Sequence, residues 1–549
     1  MARRIVGAAI GDCVHVAGIL KFMKLATEEG YHTTFLGPAV PVAKLVDAAL
    51  ETEADIIAVG YRLTPEVAWE LLAELRQLAQ ERGLADRRWV FGGTPPVAAV
   101  AQEAGFFDRV FRGGEPLAET RAYLQGAEHV SGTRRLADTL LVRIGEAAPY
   151  PLLRHHYGRP TLEETMTGVR ELAEARVLDI ISLGPDQNFQ EHFFHPEDMD
   201  PQASGAGGVP LRSRDDLLAI YQATRTGNYP LVRCYAGTRE LVKMAQLLQQ
   251  TIHNAWAAIP LMWYNQLDGR SRRPLDEAIA ENQAAMAWHA WRGIPVEVNE
   301  AHHWSLRDAP DSMAVAMAYL AAYNARAQGV KDYVAQFMFN TPPDTGMWQD
   351  LAKMLAKLEL IERLAGPEFR IIREVRAGLS SFPVDPDRGR GQLASATLLG
   401  MALRPQIVHV VAYCEADHAA TTREIIESCR LVRQVIDNAL AGLPDLAADP
   451  RVQQRKDELI SEAELLIGAI AEMGDDKSGD PLVSPAVLAA AVRTGLLDTP
   501  HLKGNPEGRG DILTTIHHGA CYAVDPTSGR PMGEARRLEL WRQQFRGYE

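Results

Sequence analysis

Residues 4–18, RIVGAAIGDCVHVAG, decide the fold of the first domain. The run over 4–10 is apolar, and a helix-like run, GILKFMKLATEEG (18–30), follows it after a polar loop. A strand, a loop and an amphipathic helix in this order form the first unit of an α/β sheet. The loop carries Asp12 and His15 close together, so it is the first place where the sequence points to chemistry.

The alternation of strand-like and helix-like runs continues over residues 4–125. Each strand run is apolar throughout, which is typical of a parallel sheet covered by helices on both faces. We therefore predict a doubly wound, Rossmann- or flavodoxin-like α/β domain, in which ligands bind beyond the carboxyl ends of the strands. The Asp12–His15 loop, Gly60–Thr64 and Gly92–Gly93 are predicted to lie on that rim.

A larger second region begins near residue 151 and repeats strand and helix patterns at the spacing of a (β/α)₈ TIM-type barrel. The predicted domains are 1–130 for the α/β domain, 131–150 for a linker, 151–475 for the barrel, and 476–549 for a C-terminal segment that packs on it. The seven evident barrel strands are 178–184, 230–237, 258–265, 294–300, 332–339, 370–376 and 407–413. We expect the eighth strand near residue 150.

Polar side chains gather just after the predicted barrel strands, where a barrel places its active face. Glu300, His302 and His303 follow one strand, and a histidine there suits acid–base work or a hydrogen bond to a substrate carbonyl. The alternative is a structural histidine packed by Trp304. For charged strand-end residues, an ordinary salt bridge is the alternative. The other strand-end candidates are Asn265, Arg376 and Glu415.

The composition of the 549-residue chain argues against several classes of function. The net charge is −14 and no basic stripe stands out, so a nucleic-acid partner is not expected. No stretch approaches the roughly 18 uncharged apolar residues of a membrane span. Five scattered cysteines without a CxxC favour a reducing cytoplasm and argue against an iron–sulfur cluster. GxGxxG is missing after the first strand, which disfavours NAD.

The Asp12–His15 loop has two interpretations on its residues alone. A metal-binding histidine usually donates its other ring N–H to a carboxylate, and Asp12 is such a carboxylate. Alternatively, the two residues cap the helix that follows. Gly18 leaves room for a bulky planar ligand to approach the backbone, and Gly92 and Gly93 do the same on the neighbouring loop.

The first domain resembles the small, cobalamin-binding subunit of glutamate mutase and, more widely, the "base-off, His-on" B12-binding domains. Their pattern is DxHxxG, then SxL, then GG. The matches here are His15 and Gly18, Leu63 within GYRLTPE, and Gly92–Gly93 within WVFGGTPP. The resemblance implies that His15 is the ligand of the cobalamin cobalt, binding from below. It also implies that the nucleotide tail enters a slot between sheet and helix.

Two positions of the first domain depart from this family pattern. Asp12 lies three residues before His15 rather than two, as if Val14 were inserted. Tyr61 stands where the family has Ser, so its bulk is expected to change the slot for the tail. Thr64 offers a hydroxyl nearby.

The second region resembles the large subunit of glutamate mutase (methylaspartate mutase) over roughly 150–525. The clearest pieces are PLDEAIAENQ, IPVEVNEAHHW, SSFPVDPDRGRGQ, YCEADHAATTRE and TGLLDTPHLKGNP. The resemblance implies a fusion of both subunits that uses adenosylcobalamin for the radical rearrangement of a small-molecule acid. Arg388 stands where the family has a Lys near the adenosine ribose.

The family holds two substrate carboxylates with three arginines, which bind carboxylates through paired hydrogen bonds. Arg233 matches one of them, and Arg154 or Arg159 matches another. The third falls near Phe189–Gln190, where there is no arginine, and the family's Glu against the substrate ammonium falls near the apolar Ile259–Pro260. We therefore expect a related acid that keeps one carboxylate for Arg233, rather than strict glutamate.

Three other functions remain open at this point. A corrinoid methyltransferase uses a similar B12 domain but with a helical cap before the sheet, for which the first strand at residue 4 leaves no room. A B12-binding sensor or carrier without catalysis would explain the missing substrate residues. A metal-dependent hydrolase would use the histidine pairs. For the mutase we expect a homo-oligomer, a dimer, with no membrane contact.

Overall fold

The computed structural model describes residues 3–113, 120, 121, 123, 124, 137–475 and 479–546. The chain divides into two compact units, residues 1–134 and 135–549. Part of the predicted linker, 131–136, lies outside the described residues, as do 476–478 and 547–549 of the predicted C-terminal segment.

A parallel five-stranded sheet of order β2-β1-β3-β4-β5 forms the first unit and confirms the predicted doubly wound fold. Successive residues of the third strand face different cores. Ile57 and Val59 pack into one, and Ile56 and Ala58 into the other. The strands are β1 (Arg4–Ala9), β2 (His32–Phe35), β3 (Ile56–Gly60), β4 (Arg88–Gly92) and β5 (Arg109–Phe111). The helices are α1 (Ala17–Glu28), α2 (Val42–Glu51), α3 (Pro65–Glu81) and α4 (Pro95–Glu103).

Eight parallel strands form the barrel of the second unit, in the order β8-β7-β6-β13-β12-β11-β10-β9. An isolated bridge between Tyr235 and Ala258 links the two edge strands, and the Ala255 amide donates to the carbonyl of Val232, so the barrel is nearly closed. The eighth strand lies where it is predicted, as β6. The strands are β6 (Leu152–Tyr157), β7 (Ile180–Leu183), β8 (Leu231–Cys234), β9 (Ala257–Ile259), β10 (Val296–Val298), β11 (Asp332–Phe339), β12 (Arg370–Ala377) and β13 (Ile407–His409).

Helices separate the barrel strands, as the amphipathic patterns predict. They are α5 (Leu140–Ala147), α6 (Leu162–Glu174), α7 (Gln187–His192), α8 (Arg214–Ala223), α9 (Leu241–Thr251), α10 (Leu275–Trp291), α11 (Ala301–Ser305), α12 (Asp311–Ala327), α13 (Met347–Glu362), α14 (Pro386–Met401), α15 (Thr422–Gly442) and α16 (Pro450–Ala471). Helix α5 falls in the predicted linker. Its Leu140 packs with Leu152, Ile180 and Ile407 at the amino ends of the strands. This part of the linker therefore closes the floor of the barrel.

Several barrel strands are shorter than the apolar runs that predict them. β9 and β10 have three residues each, and the predicted strand 294–300 leads into the short helix α11, which carries His302 and His303. The residues around these strands stay buried without strand pairing, because side-chain burial does not require a hydrogen-bonded ladder.

The C-terminal segment adds α17 (Pro485–Arg493), an antiparallel sheet and α18 (Glu534–Arg546). Leu488 and Leu538 belong to the same apolar core as the barrel. The sheet strands are β14 (Thr514–His517), β15 (Ala520–Val524) and β16 (Pro531–Met532), which the sequence patterns do not predict. Among the described helices, none combines the length and the apolar character that crossing a bilayer requires.

Candidate functional site

A cavity of about 280 Å³ lies in the first unit between helix α1 and the carboxyl half of the sheet. Apolar side chains of α1, including Ile19 and Phe22, form one wall. The backbone of β3 and β4, ending in the predicted glycines Gly92 and Gly93, forms the other. His15 and Gly18 line the cavity as well, so four of the predicted cofactor residues meet in one place.

The glycines at this cavity have two different physical roles. A Cβ built on Gly18 or on Gly92 would have no other atom within 4 Å, so both positions face open space. A Cβ on Gly93 would lie 2.7 Å from the carbonyl oxygen of Tyr61, which is a steric overlap. Gly18 and Gly92 therefore keep the cavity open, whereas Gly93 permits close packing of two loops.

His15 is exposed at the edge of this cavity, and the helix-cap interpretation is wrong. Helix α1 begins at Ala17 with Val16 as its N-cap, and no side chain caps it. Asp12 is also exposed, and within the described part of the chain no hydrogen bond joins it to His15. The residue inserted between them, Val14, is 62% exposed. Among the described residues, the expected hydrogen bond between Asp12 and His15 is therefore not formed.

Three other predicted cofactor residues do not line the cavity. The Tyr61 side chain is buried in the core on the opposite face of the sheet. The expectation that its bulk changes the slot is therefore wrong. Leu63 is largely exposed, and Thr64 is the N-cap residue of α3 without a side-chain bond. The pleat explains this result, because Tyr61 extends β3 and points away from α1.

In the second unit, a network of buried charged side chains fills the centre of the barrel. Arg233 donates to Glu297 at 2.8 Å, and Arg154 lies 3.2 Å from Glu374 and 3.5 Å from Glu297. Gln336 and Trp256 also donate to Glu297, both at a short distance. Buried charges are stable only when paired in this way.

This pairing conflicts with the expectation that Arg233 and Arg154 hold substrate carboxylates. Both guanidinium groups are fully buried and already have glutamate partners. The sequence matched the arginines but missed Glu297 and Glu374, which neutralise them. The available signal was a lone acid inside an apolar strand, such as Glu297 between Val296 and Val298.

His156 and His409 lie above this network, and arginine donors set their tautomers. Nε2 of His156 is 3.2 Å from Arg154 and 3.3 Å from Arg233, and the Tyr235 hydroxyl is 3.2 Å away. Nδ1 of His409 is 3.0 Å from Arg154. Arginine only donates, so these ring nitrogens accept, and the proton lies on Nδ1 of His156 and on Nε2 of His409.

Both imidazoles are neutral. Burial lowers the pKa of His156 and of His409 well below the usual value, and the charge of Arg154 lowers each further. The two rings are 4.7 Å apart, centre to centre. Each neutral ring therefore carries its single N–H on the nitrogen that does not face Arg154.

Arg376 lies beside His409, because the two residues are partners in the β12–β13 register. Its Nε donates to the carbonyl of Ala377 at 3.2 Å, and the side chain is half-buried. Within the described residues, no carboxylate oxygen lies in ion-pair distance of its guanidinium. Burial lowers the pKa of Arg376, but a guanidinium keeps its charge at neutral pH.

The Glu300 carboxylate accepts hydrogen bonds from the backbone and from an indole. One of its oxygens accepts from the amides of Leu261 and Met262, and the other accepts from the Trp304 indole at 2.7 Å. Burial raises the pKa of Glu300 to about 7, and these three donors act against that shift. These contacts give Glu300 a structural role, and its catalytic role stays a prediction.

His302 and His303 are both neutral and differ in their surroundings. Burial, followed by the charge of Arg376, lowers the pKa of His302 to about 3. His303 packs against Tyr264 and Trp263, and burial lowers its pKa too. Among the described residues its Nε2 is buried without a hydrogen-bond partner. The charge of Arg376 lowers the pKa of both histidines, and for His302 it is the largest effect after burial.

The remaining barrel candidates have local partners. The Asn265 amide bonds the carbonyls of its own turn, so its predicted substrate role is corrected. Glu415 accepts from His155 at 2.9 Å, as the salt-bridge alternative states. Its pKa is lowered because this bond and charge outweigh burial. Arg159 is half-buried on the loop after β6, and Arg388 is exposed in the first turn of α14.

Two clusters of metal-ligand residue types lie among the described residues. One is His195, Glu197 and Asp198, in which His195 lies 3.5 Å from Glu197 and 2.9 Å from Glu240. The other is Cys414, His418 and Glu424. Hydrogen bonds already account for it, because His418 bonds Glu424 and Asp417, and Glu424 closes the capping box of α15 with Thr421. These contacts explain the cluster without an ion.

The comparisons with known proteins agree with the two units. Residues 3–121 match the family model of the B12 binding domain, so the slot and His15 belong to a B12-binding domain. Residues 238–528 match the model of the methylaspartate mutase E chain, which is more than half of the sequence. The chain belongs to the methylaspartate mutase E chain family, and the predicted resemblance is confirmed.

Individual relatives cover smaller parts. The beta subunit of D-ornithine 4,5-aminomutase from Acetoanaerobium sticklandii is 33% identical over 113 residues, which are 19% of this chain and 15% of that protein. A cobalamin-binding protein from Desulfitobacterium hafniense DCB-2 is 28% identical over 20% of this chain and 52% of its own, with a TM-score of 0.18. A 2,3-dimethylmalate lyase covers 60% of this chain and 97% of its own at 11% identity, with a TM-score of 0.28. The chain thus spans about 15% of the curated relative and about half of the cobalamin-binding protein.

Proposed function

We propose that this protein is an adenosylcobalamin-dependent carbon-skeleton mutase that acts on a small carboxylic acid other than glutamate. The observation that carries the proposal is the position of His15 at the edge of the slot between α1 and the sheet. Membership of the methylaspartate mutase E chain family supports the reaction type.

The residues of the slot fit a corrinoid with its nucleotide tail. The exposed imidazole of His15 is a good cobalt ligand, since no hydrogen bond from the described residues engages its ring nitrogens. The open space at Gly18 and Gly92 admits an extended chain beside the backbone. Adenosylcobalamin, when bound, supplies reversible homolysis of its cobalt–carbon bond, while the barrel binds the substrate and excludes water.

Asp12 keeps a proposed role as the group that orients His15. Its side chain is exposed and lies on the same loop, so a change of rotamer or of the loop at Val14 can bring it to the ring. A bond of this kind fixes the tautomer of a metal-binding histidine. We propose that it forms when the cofactor binds.

The proposed substrate differs from glutamate, because the two arginines expected to bind its carboxylates already form ion pairs with glutamate side chains of the protein. Glu297 is ion-paired with Arg233, and Glu374, whose pKa burial raises to about 7, lies 3.2 Å from Arg154. Phe189 is wholly buried in the core and Ile259 is apolar, so neither replaces the missing charged residues. We also propose a cytoplasmic location, because the free, buried cysteines favour a reducing compartment. We propose a homodimer as well, and light scattering tests it.

Reconstitution with adenosylcobalamin tests the proposal. The wild-type protein is expected to bind the cofactor with a base-off, histidine-ligated visible spectrum, and to give a radical signal by electron paramagnetic resonance with one acid of a screened set. The His15→Ala variant should lose that spectrum, whereas His32→Ala, an exposed histidine outside the cavity, should keep it.

Two outcomes would contradict the proposal. An identical spectrum for wild type and His15→Ala would remove the ligand assignment. Methyl transfer from methylcobalamin, without a radical signal for any amino, hydroxy or acyl-thioester acid, would identify a corrinoid methyltransferase instead.

A further inference from the structure

We infer that the barrel recognises its substrate through Arg376, Nδ1–H of His156 and Nε2–H of His409, and that this substrate carries one carboxylate and one uncharged oxygen acceptor. Hydroxy acids and oxo acids have this chemistry. The inference rests on the proposed function, because it describes the substrate of the same barrel.

Arginine donors fix which ring nitrogen carries the proton in His156 and in His409. Arg154 donates to Nε2 of His156 and to Nδ1 of His409, at 3.2 and 3.0 Å. Each ring must therefore present its N–H on the other side. Among the described residues, neither of these two N–H groups makes a hydrogen bond, and neither nitrogen is completely shielded from solvent. Both are therefore accessible to a ligand.

The charge of the barrel interior favours a ligand with a single carboxylate. Three arginines on the strands face it, and two of them are paired with Glu297 and Glu374. Arg376 is the one of these three without a carboxylate partner in the described part of the chain. One carboxylate therefore finds a countercharge, while a second carboxylate would be desolvated opposite neutral histidines.

Several polar groups beside the two histidines lack hydrogen-bond partners among the described residues. Among the described residues, the fully buried Ser182 hydroxyl has no hydrogen-bond partner, and Ser182 lies between His156 and Arg233 in the strand register. The buried Nε atoms of Arg154 and Arg233 also lack a partner in this part of the chain. Buried polar groups are normally satisfied, so these atoms indicate room for a polar ligand or its ordered water.

The test measures the binding of four-carbon acids to the full chain without cofactor, by titration calorimetry. The probes are butanoate, 2-hydroxybutanoate, 3-hydroxybutanoate and butanedioate. We expect one hydroxybutanoate to bind about 3- to 10-fold more tightly than butanoate, and butanedioate to bind more weakly than that hydroxy acid. Arg376→Gln should weaken binding of every monocarboxylate by about 10- to 100-fold.

Control variants separate recognition from folding. Arg370→Gln removes an arginine at the opposite end of the same strand, where it pairs with Asp332, and should leave binding unchanged. Arg376→Lys keeps the charge and should recover part of the affinity. His156→Leu should abolish the preference for the hydroxy acid while butanoate still binds, and His156→Asn, which keeps a donor, should retain some preference.

The inference is overturned if butanedioate binds as tightly as the hydroxy acids, if Arg376→Gln behaves like Arg370→Gln, or if no probe binds at millimolar concentration. Failure of the proposed function is seen separately. In that case the acids bind in this order, but the cofactor-loaded protein gives no radical signal with any substrate.

Discussion

Arg233 and Glu297 form an ion pair of 2.8 Å at the centre of the barrel, and solvent reaches neither side chain. The pair fixes the charge of the site, because it leaves Arg233 unable to serve as a free anchor for an acid. It also holds Arg233 against Nε2 of His156, which sets the tautomer of that ring. The buried network thus prepares the donors above it.

Glu297→Gln should lower the free energy of unfolding of the barrel by about 3–5 kcal/mol, because it leaves a buried arginine without its countercharge. Urea denaturation followed by circular dichroism measures the change. Glu368→Gln, which removes the surface partner of Lys331, is the control and should have no measurable effect. Equal stability of the two variants would show that the buried pair is dispensable.

Gly18→Leu should raise the dissociation constant of cobalamin by roughly tenfold or more, because a side chain at this position enters the open slot. Ala17→Leu, an exposed neighbour that does not line the cavity, should bind the cofactor normally. Absorbance titration gives both constants. Unchanged affinity in Gly18→Leu would exclude this cavity as the binding slot.

Gly93→Ala should destabilise the first unit by about 1–3 kcal/mol, since its Cβ would overlap the carbonyl oxygen of Tyr61. The neighbouring Gly92→Ala is the matched control, because a Cβ there meets no atom within 4 Å. Thermal unfolding of the two variants should differ by several degrees. Identical melting curves would mean that the loop relaxes freely around the added methyl group.

His302 should make the stability of the barrel depend on pH. Its pKa is about 3 in the folded protein against the usual 6.5, because burial disfavours the charged ring. Between these values only the unfolded chain binds the proton, so stability falls as the pH is lowered from 6.5. At about pH 5 the loss from this group is about 2 kcal/mol.

The His302→Gln variant lacks the contribution of His302 to this dependence. Its free energy of unfolding should change less between about pH 6.5 and pH 5 than that of wild type, as measured by urea denaturation at each pH. His32→Gln, in an exposed histidine of the other unit, should retain the wild-type slope. Equal slopes for all three proteins would contradict the assignment of a buried neutral His302.

The fold could be predicted from local patterns, because strand and helix periods are properties of short segments. The eighth barrel strand followed from counting, and β6 lies where it was expected. The strands β14 to β16 escaped prediction because they are short and lack a regular alternation of buried residues. Burial alone also overstated the length of β9 and β10.

The site was harder to predict, because its chemistry depends on residues distant in sequence. Motif matching singled out Arg154 and Arg233 as candidates for binding substrate carboxylates. Only the three-dimensional structure shows that Glu374 and Glu297 form ion pairs with them at the centre of the barrel. The contacts of Glu300 and Asn265 escaped prediction for a similar reason, since their partners are backbone groups of a turn. His15 needed only a local motif and lies at the slot, as expected.

The central claim is that His15 supplies the lower ligand of the bound corrinoid. Electron paramagnetic resonance of the protein loaded with cob(II)alamin tests it most directly, with protein labelled uniformly with ¹⁵N and unlabelled corrinoid. The account predicts that the nitrogen splitting of each cobalt line is a triplet in unlabelled protein and a doublet in labelled protein, and that His15→Ala removes the doublet. A triplet that persists in the labelled protein would show that the corrinoid's own base binds the cobalt, and would contradict the account.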